Sequence, residues 1–415
     1  MISFNNIKRF LFISLLISII SLLLFDPRIF PDSEGYISYD PARSFGYPLL
    51  IFLLNKNLKF VMFLQIFLST FSCQLFVFKV KNLFNFNYLT AFVLSLILVI
   101  IGIKVGLNIL TESLSFSLYL LSLFFLIRLI EKGYFRDLLF SSLMIFFAIL
   151  IRPQLLFAVT HLLLISIYFI SKPEKKFFFL ILPVLSVLFI LPNKLNNLSN
   201  SIFNNVDVVL VDTWNQLMIL PLFIADPDLK NYFSTELYKK LFVNSYSCAE
   251  KKKLTKVKSI YNQQNWVYVL ESNSFPVKNC INTNINKMFP NYGQYQKEVI
   301  SKQFFYETLM AYYNYDLKQL FNGYLKKISF AFFNWFYFLI FLFFSLIFLI
   351  KQFFLKCKKL LFLNIMIASH FANIFLIGLG APMLLRYRFF TEIILIVLLF
   401  CIILEYFKND IKNKP

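Results

Sequence analysis

Long runs of apolar residues recur along almost the whole chain, and this feature constrains the fold more than any other. A membrane-crossing helix needs roughly 20 mostly apolar residues, because the hydrocarbon core is about 30 Å thick and a helix rises about 1.5 Å per residue. With a mean hydropathy of +0.70 and 15% charged residues, a soluble globular protein has nowhere to bury this much apolar surface. The sequence therefore predicts an all-α polytopic membrane protein with about 10 transmembrane helices. The apolar runs lie near residues 10–25, 60–80, 88–104, 109–130, 137–151, 154–171, 177–192, 328–350, 360–379 and 387–407.

Basic residues in the short loops predict how these helices are oriented. If the N-terminus is cytoplasmic, the short inner segments carry about twice as many Lys and Arg residues as the short outer ones, which is the usual bias. The net charge of +20 then marks cytoplasmic flanks and does not indicate a nucleic-acid partner. We expect both termini in the cytoplasm and three parts. These are a transmembrane catalytic module at 1–192 with a first outer loop at 26–59, a small, mostly helical outer (periplasmic) domain at 193–327, and C-terminal transmembrane helices at 328–415.

The cysteines divide by predicted compartment. Cys248 and Cys280 are the two in the outer domain, whereas Cys73 and Cys401 fall within membrane helices and Cys357 in a cytoplasmic loop. Disulfides persist in oxidising compartments, so we predict a bond between Cys248 and Cys280. Two buried free thiols are the alternative.

The first outer loop has a concentration of acidic, basic and tyrosine residues. It reads Pro-Asp-Ser-Glu-Gly-Tyr from residue 31 and Arg-Ser-Phe-Gly-Tyr-Pro from residue 43. Carboxylates at a membrane surface accept a proton, bind a cation, or are simply solvated. Solvation is the default for Asp32, Glu34 and Asp40 on charge alone.

Further charged residues occur at the predicted outer ends of other helices. An ionisable residue in a membrane segment is costly, which makes Glu112 a functional candidate, although Thr111 and Asn108 offer it a structural role instead. Arg386 and Arg388 have guanidinium groups suited to binding a phosphate at two points, with anchoring to lipid head groups as the alternative. Arg152 is a third guanidinium group suited to binding phosphate. The alternative is that Arg-Pro only marks the start of the next helix, where proline is favoured.

Together these segments carry a family resemblance. The signature Pro-Asp-Ser-x-x-Tyr at 31–36 followed by Arg-x-x-Gly-Tyr-Pro at 43–48 resembles the first-loop signature of the GT-C superfamily of integral-membrane glycosyltransferases. That superfamily includes protein O-mannosyltransferases and lipid A aminoarabinose transferases. Leu-Thr-Glu-Ser-Leu at 110–114, Arg-Pro at 152–153 and Leu-Arg-Tyr-Arg-Phe at 385–389 agree in order and side. The resemblance covers the membrane part and not the outer domain.

The resemblance implies an inverting glycosyltransferase in the bacterial inner membrane. It would move a sugar from a polyprenyl-phosphate donor to a lipid, glycan or protein acceptor on the non-cytoplasmic face. It implies that Asp32 is the catalytic base, with Glu34 and Asp40 as competitors for that role. Glu112 is a further catalytic candidate, for which acceptor binding, metal binding and orientation of the first loop are open roles. Asp32 and Glu34 are expected to point apart, because alternate residues of an extended segment face opposite sides. The implied substrate-binding residues are Tyr36, Arg43, Tyr47, Arg152, Arg386 and Arg388.

No redox cofactor is implied, no metal-ligand set is identified, and the use of a divalent cation stays open.

Three other functions are consistent with a polytopic membrane protein. A flippase or transporter for lipid-linked oligosaccharides is expected to have internal repeats and polar residues near the bilayer midplane. A polysaccharide polymerase is the second alternative. A membrane O-acyltransferase is the third, and it would depend on an intramembrane histidine such as His370.

Overall fold

The fold is described from a computed structural model, which covers residues 4–40, 43–170, 176–204, 213–255, 266–333, 357–379 and 389–412. Within these ranges all regular secondary structure is helical, apart from one isolated β-bridge between Arg28 and Asn108. The all-α part of the prediction is confirmed.

The chain divides into two compact units. Unit 1 comprises Met1–Val209, Phe341–Asn373 and Phe389–Pro415, and unit 2 comprises Leu210–Ile340 and Ile374–Arg388. The helices before residue 205 are α1 (Phe4–Leu24), α2 (Pro31–Ile37), α3 (Gly46–Leu53), α4 (Leu58–Phe84), α5 (Tyr88–Gly106), α6 (Thr111–Lys132), α7 (Phe135–Ile151), a 3-10 helix (Pro153–Ala158), α8 (Val159–Ile170) and α9 (Lys176–Asn204). After them come α10 (Thr213–Ile224), a 3-10 helix (Pro227–Tyr232), α11 (Glu236–Lys251), α12 (Trp266–Met288), α13 (Gln294–Tyr315), α14 (Leu317–Phe333), α15 (Lys358–Leu379) and α16 (Phe389–Lys412).

Five helices in the described ranges are long and apolar enough to cross a membrane. They are α1, α4, α5, α6 and α15, judged by length and composition. Shorter apolar helices occur at Pro153–Ser166, Trp214–Ile224 and Thr391–Leu404. These features are compatible with a membrane protein, and they support five of the ten predicted crossings by this criterion.

Polar residues set the limits of the central helices. Asn57 caps α4 by accepting a hydrogen bond from the Phe60 amide at 3.1 Å, and Asn87 caps α5 in the same way. α4 ends at Asn85 and α6 at Gly133, both in the left-handed conformation that stops a helix. The turns at these positions fold α4, α5, α6 and α7 back on one another.

The antiparallel pair α6 and α7 gives unit 1 two distinct ends. Thr111 at the start of α6 and Arg152 at the end of α7 lie at one end, where the two side chains make a contact. Lys132 ends α6, and α7 begins three residues later at Phe135, at the opposite end. With about 1.5 Å per residue, the two ends of α6 are roughly 30 Å apart, which is close to the thickness of a bilayer core.

Helix α9 extends further than its apolar run. The run predicts an exit from the membrane near residue 192, but the helix continues to Asn204, and unit 1 includes residues up to Val209. The extension is polar, and it contacts the first loop: Asn196 accepts a hydrogen bond from the Phe45 amide, and the Ser199 hydroxyl hydrogen-bonds with the Tyr39 hydroxyl. Residues 193–204 therefore pack against the first loop, although the sequence assigned them to the outer domain.

Unit 2 has a hydrophobic core of its own. Its buried residues come from α10 to α14 and include Phe223, Phe242, Ile281 and Phe304. Cys248 of α11 and Cys280 of α12 form a disulfide with a Cα–Cα distance of 5.7 Å. This distance is within the normal range for a disulfide.

Reducing this disulfide is expected to destabilise unit 2. The bond joins residues 32 apart in sequence. In the chain-entropy model, a loop of this length contributes roughly 3–4 kcal/mol. Thermal unfolding of the full-length protein, followed by intrinsic tryptophan fluorescence to which Trp214 and Trp266 contribute, should shift to lower temperature in reductant. A Cys248→Ala, Cys280→Ala variant should match the reduced protein, and an unshifted transition in both would show that the bond contributes nothing.

Candidate functional site

The first loop is fixed to the connection between α5 and α6 by backbone hydrogen bonds. The Arg28 amide donates to the Leu107 carbonyl at 2.8 Å, and the Ile109 amide donates to the Arg28 carbonyl at 3.0 Å. The buried Ser33 hydroxyl donates to the Ile109 carbonyl at 2.8 Å. These bonds place the loop beside the N-terminus of α6, about 80 residues further along the chain.

The loop around Asp32 is helical and not extended, which corrects the conformation expected from the sequence. Pro31 occupies the first position of α2, where its missing N–H costs nothing, and the Phe30 amide donates to the Ser33 hydroxyl at 2.9 Å. Asp32 and Glu34 lie in the first turn, where the helix dipole favours negative charge. Successive helical residues rotate by about 100°, so the two acids still diverge. Glu34 is exposed, whereas Asp32 is partly buried.

A tight turn after α2 brings Arg43 back to Asp32. Tyr39 adopts a left-handed conformation with φ 63°, and the Asp40 amide donates to the Gly35 carbonyl at 2.8 Å, which ends the helix. A side chain at Gly35 would approach Arg43 Nε to 3.0 Å. Glycine at this position therefore leaves room for the Arg43 side chain to cross α2.

Asp32 and Arg43 form an accessible ion pair. Arg43 Nη2 donates to Asp32 Oδ1 at 2.8 Å, and the side chains are 34% exposed for Asp32 and 32% for Arg43. The Arg43 guanidinium also lies 5.1 Å from the centre of the Tyr36 ring. Burial disfavours the Arg43 cation, but the hydrogen bond and negative charge of Asp32 outweigh this and raise its pKa. The carboxylate is thus oriented and still open to solvent.

Tyr36 connects this pair to the start of α6. Its ring packs edge-on against Tyr47 at 5.2 Å, and the charges of Arg43, Arg152 and Glu112 all act on its phenol. Burial raises the pKa of Tyr36, although the nearby Arg43 cation opposes the rise. The phenol is therefore neutral at neutral pH and able to donate a hydrogen bond.

Tyr47 lies behind Tyr36 and is fully buried. Gln65 of α4 donates to the Tyr47 hydroxyl at 2.8 Å and to the Leu110 carbonyl at 3.2 Å. Tyr47 was predicted to bind substrate, but this burial favours a packing role that holds Tyr36 in place. The sequence reasoning missed Gln65, although a polar residue in an apolar helix was a usable signal.

Glu112 and Arg152 form a second, more deeply buried ion pair. Arg152 Nη1 lies 3.0 Å from Glu112 Oε1, and the side chains are 14% exposed for Glu112 and 9% for Arg152. Arg152 also donates to the Thr111 hydroxyl at 3.3 Å. The charges of both side chains also act on the Tyr36 phenol. Of the roles left open for Glu112, orientation of the first loop agrees best with this geometry.

Gly46 lets the first loop approach the end of α7 closely. A Cβ at this position would lie 2.8 Å from the Leu150 carbonyl oxygen, a backbone atom that cannot easily move. Gly46 begins α3 and Tyr47 follows it. The Gly-Tyr-Pro motif thus has a local explanation: close approach at glycine, packing at Tyr47, and a proline in the first turn of a helix.

A polar network extends from Arg152 to the last helix. Arg152 Nε donates to Gln154 at 3.3 Å, Gln154 donates to Asn373 at 3.0 Å, and Asn373 donates to Thr391 at 3.0 Å. His370 Nδ1 lies 3.0 Å from the same Thr391 hydroxyl.

Arg386 and Arg388 lie outside the described residues. Among the residues that are described, no group of three or more His, Cys, Asp or Glu side chains is arranged to hold a metal ion.

No protein-family model, curated protein or solved structure matches this chain.

Proposed function

We propose that the chain is a membrane glycosyltransferase that moves a sugar from a polyprenyl-phosphate donor to an acceptor at the outer membrane surface. One observation carries this proposal. Segments far apart in sequence, around Asp32, Glu112 and Arg152, meet at one end of unit 1, where backbone hydrogen bonds fix the first loop beside α6 and Arg152 contacts both Glu112 and Thr111. These are the segments on which the resemblance to the GT-C superfamily depends.

The chemical step assigns a role to the accessible carboxylate. Asp32 accepts the proton of an acceptor hydroxyl while that oxygen attacks the anomeric carbon of the donor sugar. The bond between this carbon and the phosphate oxygen breaks, and polyprenyl phosphate leaves with the bonding electrons. The proton passes from Asp32 to water. One glycosidic bond forms, one glycosyl phosphate bond breaks, and the anomeric configuration inverts.

The cations of the site support the departure of the phosphate. Negative charge develops on the leaving oxygen, so preorganised positive groups stabilise the transition state. Arg43 is the partly exposed cation beside Asp32. Arg152 is committed to Glu112 and Thr111, and its role is to position the loop. We assign Arg386 and Arg388 to the donor phosphate from the resemblance alone.

We further propose ten membrane spans with both termini in the cytoplasm. Two observations support this placement of the site. The basic residues Lys79, Arg128, Lys132 and Arg136 belong to the end of the bundle opposite Asp32, as the positive-inside bias requires. The disulfide of unit 2 is typical of an oxidising compartment.

A transporter of lipid-linked sugars is the competing proposal. Transport requires polar binding groups near the bilayer midplane. The Asp32–Arg43 and Glu112–Arg152 pairs lie at helix ends instead, which favours chemistry at the membrane surface.

A transfer assay tests the proposed function. Sealed right-side-out vesicles containing the protein receive labelled polyprenyl-phosphate sugars, and the labelled products are identified by mass spectrometry. We expect label in a lipid, glycan or protein acceptor with donors supplied from outside. The matched control is vesicles containing Asp32→Asn protein at equal abundance. Equal labelling with the variant, or no labelling with any donor, would contradict the proposal.

A further inference from the structure

A basic cavity lies at the end of unit 1 opposite the candidate site. It has a volume of about 590 Å³, which is in the usual range for a ligand pocket of roughly 300–1,000 Å³. Four cations line it, namely Lys79, Arg128, Lys132 and Arg136, and none of its described lining residues is acidic. The cavity has no part in the proposed transfer, because its first lining residue on α6, Phe124, lies roughly 20 Å along the helix from Thr111.

Acidic residues behind the cavity hold two of these cations in place. Lys79 Nζ lies 2.6 Å from Glu131 Oε2, and Arg128 Nη2 lies 3.0 Å from Asp137 Oδ1. The Arg128 guanidinium also lies 5.6 Å from the centre of the Phe124 ring. These contacts neutralise two charges and fix their positions.

The remaining two cations give the cavity its net positive charge. Lys132 and Arg136 are exposed at its mouth, and the Arg136 guanidinium lies 5.0 Å from the centre of the Tyr134 ring. The guanidinium groups of arginine match the oxygens of a phosphate, which they bind through two parallel hydrogen bonds.

The same cavity has a strongly apolar wall. Phe71, Leu75, Phe125 and Phe140 line it together with Ile7. A free inorganic anion has no group to place against these rings, whereas a lipid has a phosphate and hydrocarbon chains in one molecule. The cavity also lies at the end of the bundle where the cytoplasmic leaflet is proposed to be, and anionic lipids attract basic residues there.

We propose that this cavity binds the phosphate head group of an anionic membrane lipid, with the lipid chains against the phenylalanine wall. The proposal depends on the membrane placement of unit 1 and not on glycosyl transfer. Failure of lipid binding therefore leaves the transfer assay unaffected, and an inactive protein can still bind the lipid.

Lipid titrations of the purified full-length protein in detergent test this inference by native mass spectrometry. The probes are phosphatidylglycerol, phosphatidylcholine and inorganic phosphate. Phosphatidylglycerol is expected to bind at least about tenfold more tightly than phosphatidylcholine. Each basic residue near an anionic lipid contributes about a factor of five in affinity, so a Lys132→Gln, Arg136→Gln variant should bind phosphatidylglycerol about 30-fold more weakly.

The matched control is a Lys8→Gln, Arg9→Gln variant. It removes the same charge from exposed positions on α1, next to Ile7 but outside the cavity lining, and should change affinity less than about threefold. If the double variant folds poorly, the single variant Arg136→Gln replaces it in the titration, and about fivefold weaker binding is then expected.

Equal losses in the Lys132/Arg136 and Lys8/Arg9 variants, or equal affinity for the two lipids, would overturn the proposal. Binding of inorganic phosphate as tight as that of phosphatidylglycerol would also overturn it and assign the cavity to the free anion.

Discussion

Replacement of Asp32 by asparagine is expected to reduce sugar transfer by at least about 10²-fold, because general base catalysis typically contributes about 10²–10⁴-fold. Asparagine preserves the size of the side chain and can still contact Arg43 through its carbonyl oxygen. It cannot accept a proton at neutral pH. The partial exposure of Asp32 means that little buried packing is lost, so membrane insertion and thermal stability should change little. Initial rates at saturating donor, with the protein amount normalised by immunoblot, measure the effect.

Glu34→Gln is the matched control for this variant. Glu34 lies two residues away in the same helical turn, and its side chain is exposed. Its replacement should leave transfer within about threefold of the native rate, the range typical of solvated surface positions. Loss of activity in Glu34→Gln with normal activity in Asp32→Asn would move the base to Glu34. Normal activity in both variants would remove the chemical basis of the transferase proposal and favour the transporter.

Breaking the Glu112–Arg152 pair is expected to have the largest effect on stability. Arg152→Gln leaves the Glu112 carboxylate, only 14% exposed, without its cation, and loss of one partner of a buried pair costs about 3–5 kcal/mol. The Arg152 contact with Thr111 is lost as well, which loosens the start of α6 beside the first loop, so transfer should fall. Thermal unfolding in detergent and transfer rates measure the two effects separately.

A double-mutant cycle separates pairing from other causes. Glu112→Gln combined with Arg152→Gln removes both charges, and this variant should recover most of the stability lost in Arg152→Gln alone. Transfer should remain below the native rate in the double variant, because the Arg152 contact with Thr111 at the start of α6 is still missing. A double variant as unstable as Arg152→Gln would show that the two side chains are not coupled. Native transfer in a stable double variant would remove the pair from loop positioning.

The central helices could be predicted from the sequence, whereas the ends of several elements could not. The apolar runs near 60–80 and 88–104 correspond to α4 and α5, because their length and composition determine them. The polar extension of α9 was missed, since hydropathy gives no reason for a helix to continue beyond 192. That extension is stabilised by Asn196 and Ser199, which bond to a loop more than 150 residues earlier in the chain.

In the candidate site, individual residues could also be identified from the sequence, whereas their pairing is determined by tertiary packing. Glu112 was singled out because an ionisable residue in an apolar helix is costly, whereas Asp32 was singled out because it matches the first-loop signature. Their pairing, Asp32 with Arg43 and Glu112 with Arg152, depends on which helix ends meet. Local sequence does not contain that information. The helical conformation of α2 had a local signal in Pro31 and Ser33, but the short length of the segment favoured an extended loop.

The fate of the donor tests the central claim most directly. Purified protein, reconstituted in vesicles, receives a polyprenyl-phosphate sugar labelled in both the lipid and the sugar, together with the acceptor identified in the vesicle assay. The account predicts one molecule of free polyprenyl phosphate for each sugar transferred, with no transfer from a nucleotide sugar and none from the Asp32→Asn protein. Movement of the intact donor from one leaflet to the other, with its glycosyl phosphate bond unbroken, would contradict the account and identify the protein as a transporter.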